Sequence, residues 1–102
     1  MLDEMTQAIK HWAEERGLNN ANSDKQMMKL MEEAGELSAA LVRKDEWKTA
    51  DAIGDIYVVI TILAMQLGLS IESCIDAAYQ EIKYRQGEMI DGVFVKEADL
   101  RD

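Results

Sequence analysis

The residues of this sequence best suited to chemistry are carboxylates. Glu32, Glu33 and Glu36 fall within five consecutive positions, and Asp51 and Asp55 follow, four residues apart. At about 100° per residue on a helix, Glu32, Glu36 and Lys29 lie nearly opposite an apolar stripe, with Glu33 at its margin. Three carboxylates then crowd one sector. Lys29, four residues before Glu33, is the nearest base and cannot neutralise all of them, so a further cation is called for. Asp51 and Asp55 share one face of the next helix. Asp55 runs into Ile56, Tyr57, Val58, Val59 and Ile60, the most apolar segment, which predicts a partly buried carboxylate. Such a group needs a partner, a proton or a metal. Mg²⁺, with Mn²⁺ as the alternative, takes oxygen ligands of this kind, typically a few carboxylates plus water and substrate phosphates. The competing reading is a non-catalytic helical oligomerisation or interaction module whose acidic face is simply solvated.

Charge narrows the choice of partner. The chain has 102 residues, 20 Asp and Glu against 11 Lys and Arg, and a formal net charge of −9. So acidic a surface repels phosphate backbones and anionic lipid, which predicts no nucleic-acid and no membrane partner. One cysteine, Cys74, and one histidine, His11, build neither a zinc site nor an internal disulfide. A di-iron bundle would need Glu-x-x-His on facing helices, and His11 is not so placed. Glycine-rich phosphate loops and a nucleophile elbow are both absent. The first residues lack the basic start and apolar stretch of a signal peptide, so a cytoplasmic protein is expected. The apolar run from Ile53 to Leu67 is shorter than the roughly 20 residues of a membrane span and carries Asp55, Thr61 and Gln66, so it reads as a core helix.

Four helices must position these groups. The first runs from about Leu2 to Arg16 and stops at Gly17; Ser23 or Asp24 caps the second, which continues to about Lys44. Its core stripe is read as Met27, Leu30, Met31, Ala34, Leu37, Ser38 and Leu41. After a polar break comes a third helix, about Glu46 to Leu67, and a fourth from Ser70 to about Gln86. Asp91-Gly92 between apolar β-formers predicts a small C-terminal hairpin. The expected fold is a single all-α domain over residues 1–102, a four-helix subunit with that hairpin. Because apolar residues surround the third helix, a homo-oligomeric bundle is expected, as a homodimer or homotetramer.

The segment Lys29 to Leu37, with Glu32, Glu33 and Glu36, followed by Ile53, Gly54, Asp55 and Ile56, resembles the MazG-like all-α nucleoside triphosphate pyrophosphohydrolases. The signature of that family is Glu-Glu-x-x-Glu on one helix and Glu-x-x-Asp on the next. The likeness runs from about Trp12 through the hairpin and is closest to compact, phage-type members. It implies Mg²⁺-dependent cleavage of nucleotides between the α- and β-phosphates, releasing a nucleoside monophosphate and pyrophosphate. It also implies Glu33, Glu36 and Asp55 as metal ligands, with Glu32 as ligand or water-orienting base. Ala52 stands where the family has Glu. Either Asp51 replaces that ligand or the site takes one metal fewer. Lys83 and Arg85 lie near where the family places phosphate contacts, with Lys29 as a weaker candidate. Trp47 and Tyr84 are candidates for stacking on the base, alongside Trp12 and Tyr57.

Overall fold

The computed structural model describes residues 1–100 and divides into two units, Met1–Ile71 and the segment from Glu72 onward. Its elements are four α-helices and a two-stranded antiparallel hairpin, the architecture predicted from the sequence.

The first unit is built on α1 (Leu2–Glu15), α2 (Ser23–Val42) and α3 (Glu46–Gln66). Gly17, at φ 69°, ends the first helical segment in the left-handed region that suits glycine. The cap of α2 is Asn22, one residue before either candidate: its side-chain oxygen accepts from the backbone N–H of Asp24 at 2.7 Å and of Lys25 at 3.4 Å. Only Arg43, Lys44 and Asp45 separate α2 from α3. Asp45 caps α3 by accepting from the Lys48 N–H at 3.0 Å. So short a turn makes the two helices antiparallel neighbours.

The packed face of α2 differs from the predicted stripe. It runs through Gln26, Leu30, Glu33, Leu37 and Ala40, and the Gln26 amide donates to the Val59 carbonyl of α3 at 3.2 Å. Met27, Met31 and Leu41, roughly a quarter-turn round the helix, are exposed. The apolar band of α2 is therefore wider than α3 can cover. On α3 the buried positions include Ala52, Val59 and Ile62, and α1 packs on α3 through Thr6 and Ala13. The Thr6 hydroxyl donates to the Leu2 carbonyl at 2.9 Å, so it accepts from the Tyr57 hydroxyl at 2.7 Å. By length and composition α3 would be long enough to cross a membrane, but it carries Asp51 and Asp55.

The helix α4 (Ile71–Ile82), in the second unit from Glu72 onward, ends four residues before the predicted Gln86. Strands β1 (Gly87–Ile90) and β2 (Val93–Lys96) pair with Ile90 opposite Val93. Asp91 and Gly92, at φ 51° and 79°, make the turn between them, as two consecutive left-handed residues in such a hairpin do.

Candidate functional site

The antiparallel turn converts sequence separation into spatial register. Glu33 lies eleven residues before Lys44, and Asp55 eleven after it, so both stand about 16 Å along their helices from the turn. Glu36 sits one turn nearer on α2, opposite Asp51 and Ala52. Glu33, Glu36 and Asp55 accordingly each offer a carboxylate oxygen within 4.8 Å of the others.

Of these, Glu33 is the most deeply placed, with only 6% of its surface exposed. Its Oε1 faces Lys29 Nζ at 3.7 Å, while Oε2 is buried without a hydrogen-bond partner. Burial pushes its carboxyl above the usual carboxylate range, reinforced by the charges of Glu36 and Asp55 and a hydrogen bond with Glu36; Lys29 opposes this. Asp55 is half-buried, as predicted. Its carboxyl is likewise raised, first by burial, then by the charge of Asp51 and a hydrogen bond with it, with a smaller push from Glu36. Four carboxyl groups thus share a space with one ammonium beside them. A buried oxygen without a partner, amid like charges, is the donor set a hard divalent cation satisfies. The residues present fit such an ion.

Not all of the predicted set converges there. Glu32 is solvent-facing, 3.6 Å from Lys29, and stands outside the group of three. Lys29 itself is engaged by Glu32 and Glu33. Ala52, the position of the missing family Glu, is 4% exposed on the same face as Asp55.

A cleft of about 270 Å³ adjoins the cluster, lined by Glu36, Asp51 and Asp55, by the small side chains of Ala39, Ala40 and Ala52, and by Arg43, Trp47 and Lys48. Trp47 is 73% exposed at this cleft. The other aromatic candidates are placed differently. Arg16 stacks on Trp12 at 4.3 Å, Tyr57 is bonded to Thr6, and Tyr84 lies in the second unit with Lys83 5.0 Å from its ring. Arg85 belongs to the second unit as well. Arg43 and Lys48 escape notice in the linear sequence, where they look like solvated charges. Their positions, Arg43 opening the three-residue turn and Lys48 in the first turn of α3, are the signal that could have found them.

Fold and site together define a helical protein whose acidic cluster is suited to a divalent cation. Residues 2–81 match the phosphoribosyl-ATP pyrophosphohydrolase family. The chain belongs to that family, which lies within the MazG-like all-α NTP pyrophosphohydrolase superfamily and is typically dependent on a divalent metal. The matched span begins before Trp12 and stops short of the hairpin. A relative 41% identical over 66 residues is the uncharacterized 18.2 kDa protein in the rep-hol intergenic region of Haemophilus phage HP1 (strain HP1c1). That match covers 64% of this chain and 40% of the phage protein, so the chain spans less than half the length of this relative. No solved structure matches the chain.

Proposed function

We propose that the chain is a Mg²⁺-dependent nucleotide pyrophosphohydrolase that cleaves (d)NTPs between the α- and β-phosphates, giving a (d)NMP and pyrophosphate. The observation that carries this reading is the buried, unpartnered Oε2 of Glu33 at the centre of a carboxylate cluster within the family-matched span. Glu33, Glu36 and Asp55 hold the cation, and Asp51, which lines the same cleft as Asp55, is the replacement for the ligand absent at Ala52. When bound, Mg²⁺ or Mn²⁺ supplies Lewis-acid polarisation of the phosphoryl oxygens. Glu32, accessible and outside the cluster, suits the orienting and deprotonation of an attacking water better than ligation. Water then forms a bond to phosphorus, the bridge between the α- and β-phosphates breaks, and pyrophosphate departs with the bridging oxygen. Trp47 offers its ring to the base, with Lys29 as a further substrate contact within this proposal; Lys83, Tyr84 and Arg85 lie in the second unit.

The exposed Met27, Met31 and Leu41 of α2 and Ile53 of α3 support a homodimer or homotetramer; a cytoplasmic location and the compact, phage-type form belong to the same proposal. The family description also favours a second substrate, phosphoribosyl-ATP, which offers the same type of bond. One experiment separates the readings: a panel of NTPs, dNTPs and phosphoribosyl-ATP, assayed for pyrophosphate and monophosphate with Mg²⁺, Mn²⁺ or EDTA. Metal-dependent pyrophosphate release from a (d)NTP, abolished by Glu36→Ala with helicity retained, is expected. No release from any substrate would leave the interaction module. Release from phosphoribosyl-ATP alone would replace the (d)NTP reading.

A further inference from the structure

We infer that Arg43 binds the polyphosphate tail of the substrate, with Lys48 as a second positive charge beside it. This rests on the pyrophosphohydrolase reading and deepens it by assigning a binding role that the carboxylate cluster cannot perform. Glu33, Glu36, Asp51 and Asp55 outweigh a single divalent cation by two charges. A polyphosphate, itself multiply negative, therefore needs further positive charge at the same site. Lys29 is drawn into contacts with Glu32 and Glu33. Arg43 and Lys48 are the cations that line the adjoining cleft, facing it together with Glu36, Asp51 and Asp55.

Placement and chemistry favour Arg43 as the principal contact. Its backbone is fixed where α2 ends, with its N–H donating to the Ala39 carbonyl at 3.1 Å, so the side chain starts from a defined position at the cleft. Among the described residues no carboxylate pairs with the guanidinium, although acidic groups line the same cleft. A guanidinium grips two phosphate oxygens at once through a planar fork, which an ammonium cannot do. A cation at a helix C-terminus is also stabilised by the helix dipole without any ligand. Lys44, the next residue, is equally near that terminus yet does not line this cleft, and so provides the control.

The full chain is compared with Arg43→Gln, Arg43→Lys and Lys44→Gln at fixed Mg²⁺, with far-UV circular dichroism confirming equal helicity. Binding of inorganic pyrophosphate is measured by calorimetry, and kcat and KM are measured separately on the best nucleotide of the panel. Arg43→Gln is expected to weaken pyrophosphate binding and raise KM by about tenfold or more, the loss of one charge-assisted contact, with the smaller effect on kcat. Arg43→Lys should recover part of this, and Lys44→Gln should behave as the wild type. Equal behaviour of Arg43→Gln and Lys44→Gln, whether both neutral or both weakened, overturns the inference. Turnover with a KM indifferent to Arg43 overturns it while leaving the pyrophosphohydrolase reading intact. Arg43-dependent pyrophosphate binding without turnover of any nucleotide does the reverse. Neither binding nor turnover removes both.

Discussion

Replacing Glu33 with Gln should make the metal-free protein more stable and the metal-loaded protein less so. In the absence of a cation, the Glu33 carboxyl occupies a position only 6% exposed, with Oε2 unpartnered and with burial, Glu36 and Asp55 all disfavouring its charged form. Among the described residues its one favourable ionic contact is with a half-exposed Lys29, and such contacts are worth a fraction of a kcal/mol. An amide of the same shape removes the buried charge but still leaves polar atoms to satisfy. The net gain is therefore at the low end of the penalty for burying an unsatisfied polar group, about 1 kcal/mol. In a chain of this length that corresponds to a rise in Tm of roughly 4–8 °C.

Cation binding reverses the order. A ligand at a hundred times its Kd stabilises the folded state by about 2.7 kcal/mol, which exceeds the penalty it relieves. Without the Glu33 carboxylate most of that stabilisation should be lost. Thermal melts of both proteins at one concentration, in EDTA and then in excess Mg²⁺, should cross: Glu33→Gln higher in EDTA, wild type higher in Mg²⁺. If the variant melts at or below the wild type in EDTA and gains as much from Mg²⁺, Glu33 is neither a strained buried charge nor a ligand.

In EDTA, stability should fall as pH rises from the ordinary carboxyl values, 4.5 for Glu33 and 3.8 for Asp55, through their raised folded values, because the folded state binds more protons in that window. A melting series against pH with Glu33→Gln and Asp55→Asn should show a shallower fall in each variant, and an unchanged slope would refute the assignment. Asn22→Ala removes the cap of α2 and should cost about 1 kcal/mol, read as a lower Tm by thermal circular dichroism. Ala52→Glu places a further carboxylate beside Asp51 and Asp55 at a buried position. It should lower Tm in EDTA and enlarge the Mg²⁺-induced rise, and an unaltered rise would separate Ala52 from the cation site.

Helical periodicity and turn chemistry made most of the fold legible, and the exceptions have physical causes. Asn22, Ser23 and Asp24 are all good caps, so composition alone does not choose among them. The α4 pattern of Ile71, Ile75, Ala78 and Ile82 ends where the helix does; Lys83, Tyr84, Arg85 and Gln86 carry no continuing apolar face to hold another turn. On α2 the periodicity shows a broad apolar band but not which part of it the chain's own α3 covers. Tertiary packing selects Leu30, Glu33 and Leu37, leaving Met27 and Met31 outside. The error placed Glu33 at a margin when it lies on the contact face.

That placement separates a cation site from a solvated acidic string. Three glutamates within five residues on an isolated helix would each find water, and no cation would be needed. What removes water here is the three-residue turn, which folds α3 back so that Asp55 meets Glu33 at equal distance from the bend. Ala40 and Ala52, both small and buried, let the helices approach near that turn. The same bend carries Arg43 and Lys48 to the cleft beside the acids. A net charge of −9 argues against long polyanions over most of the surface. A small phosphate ligand instead meets a local arrangement in which carboxylates and cations face one another across one turn, and it is at that scale that its binding is decided.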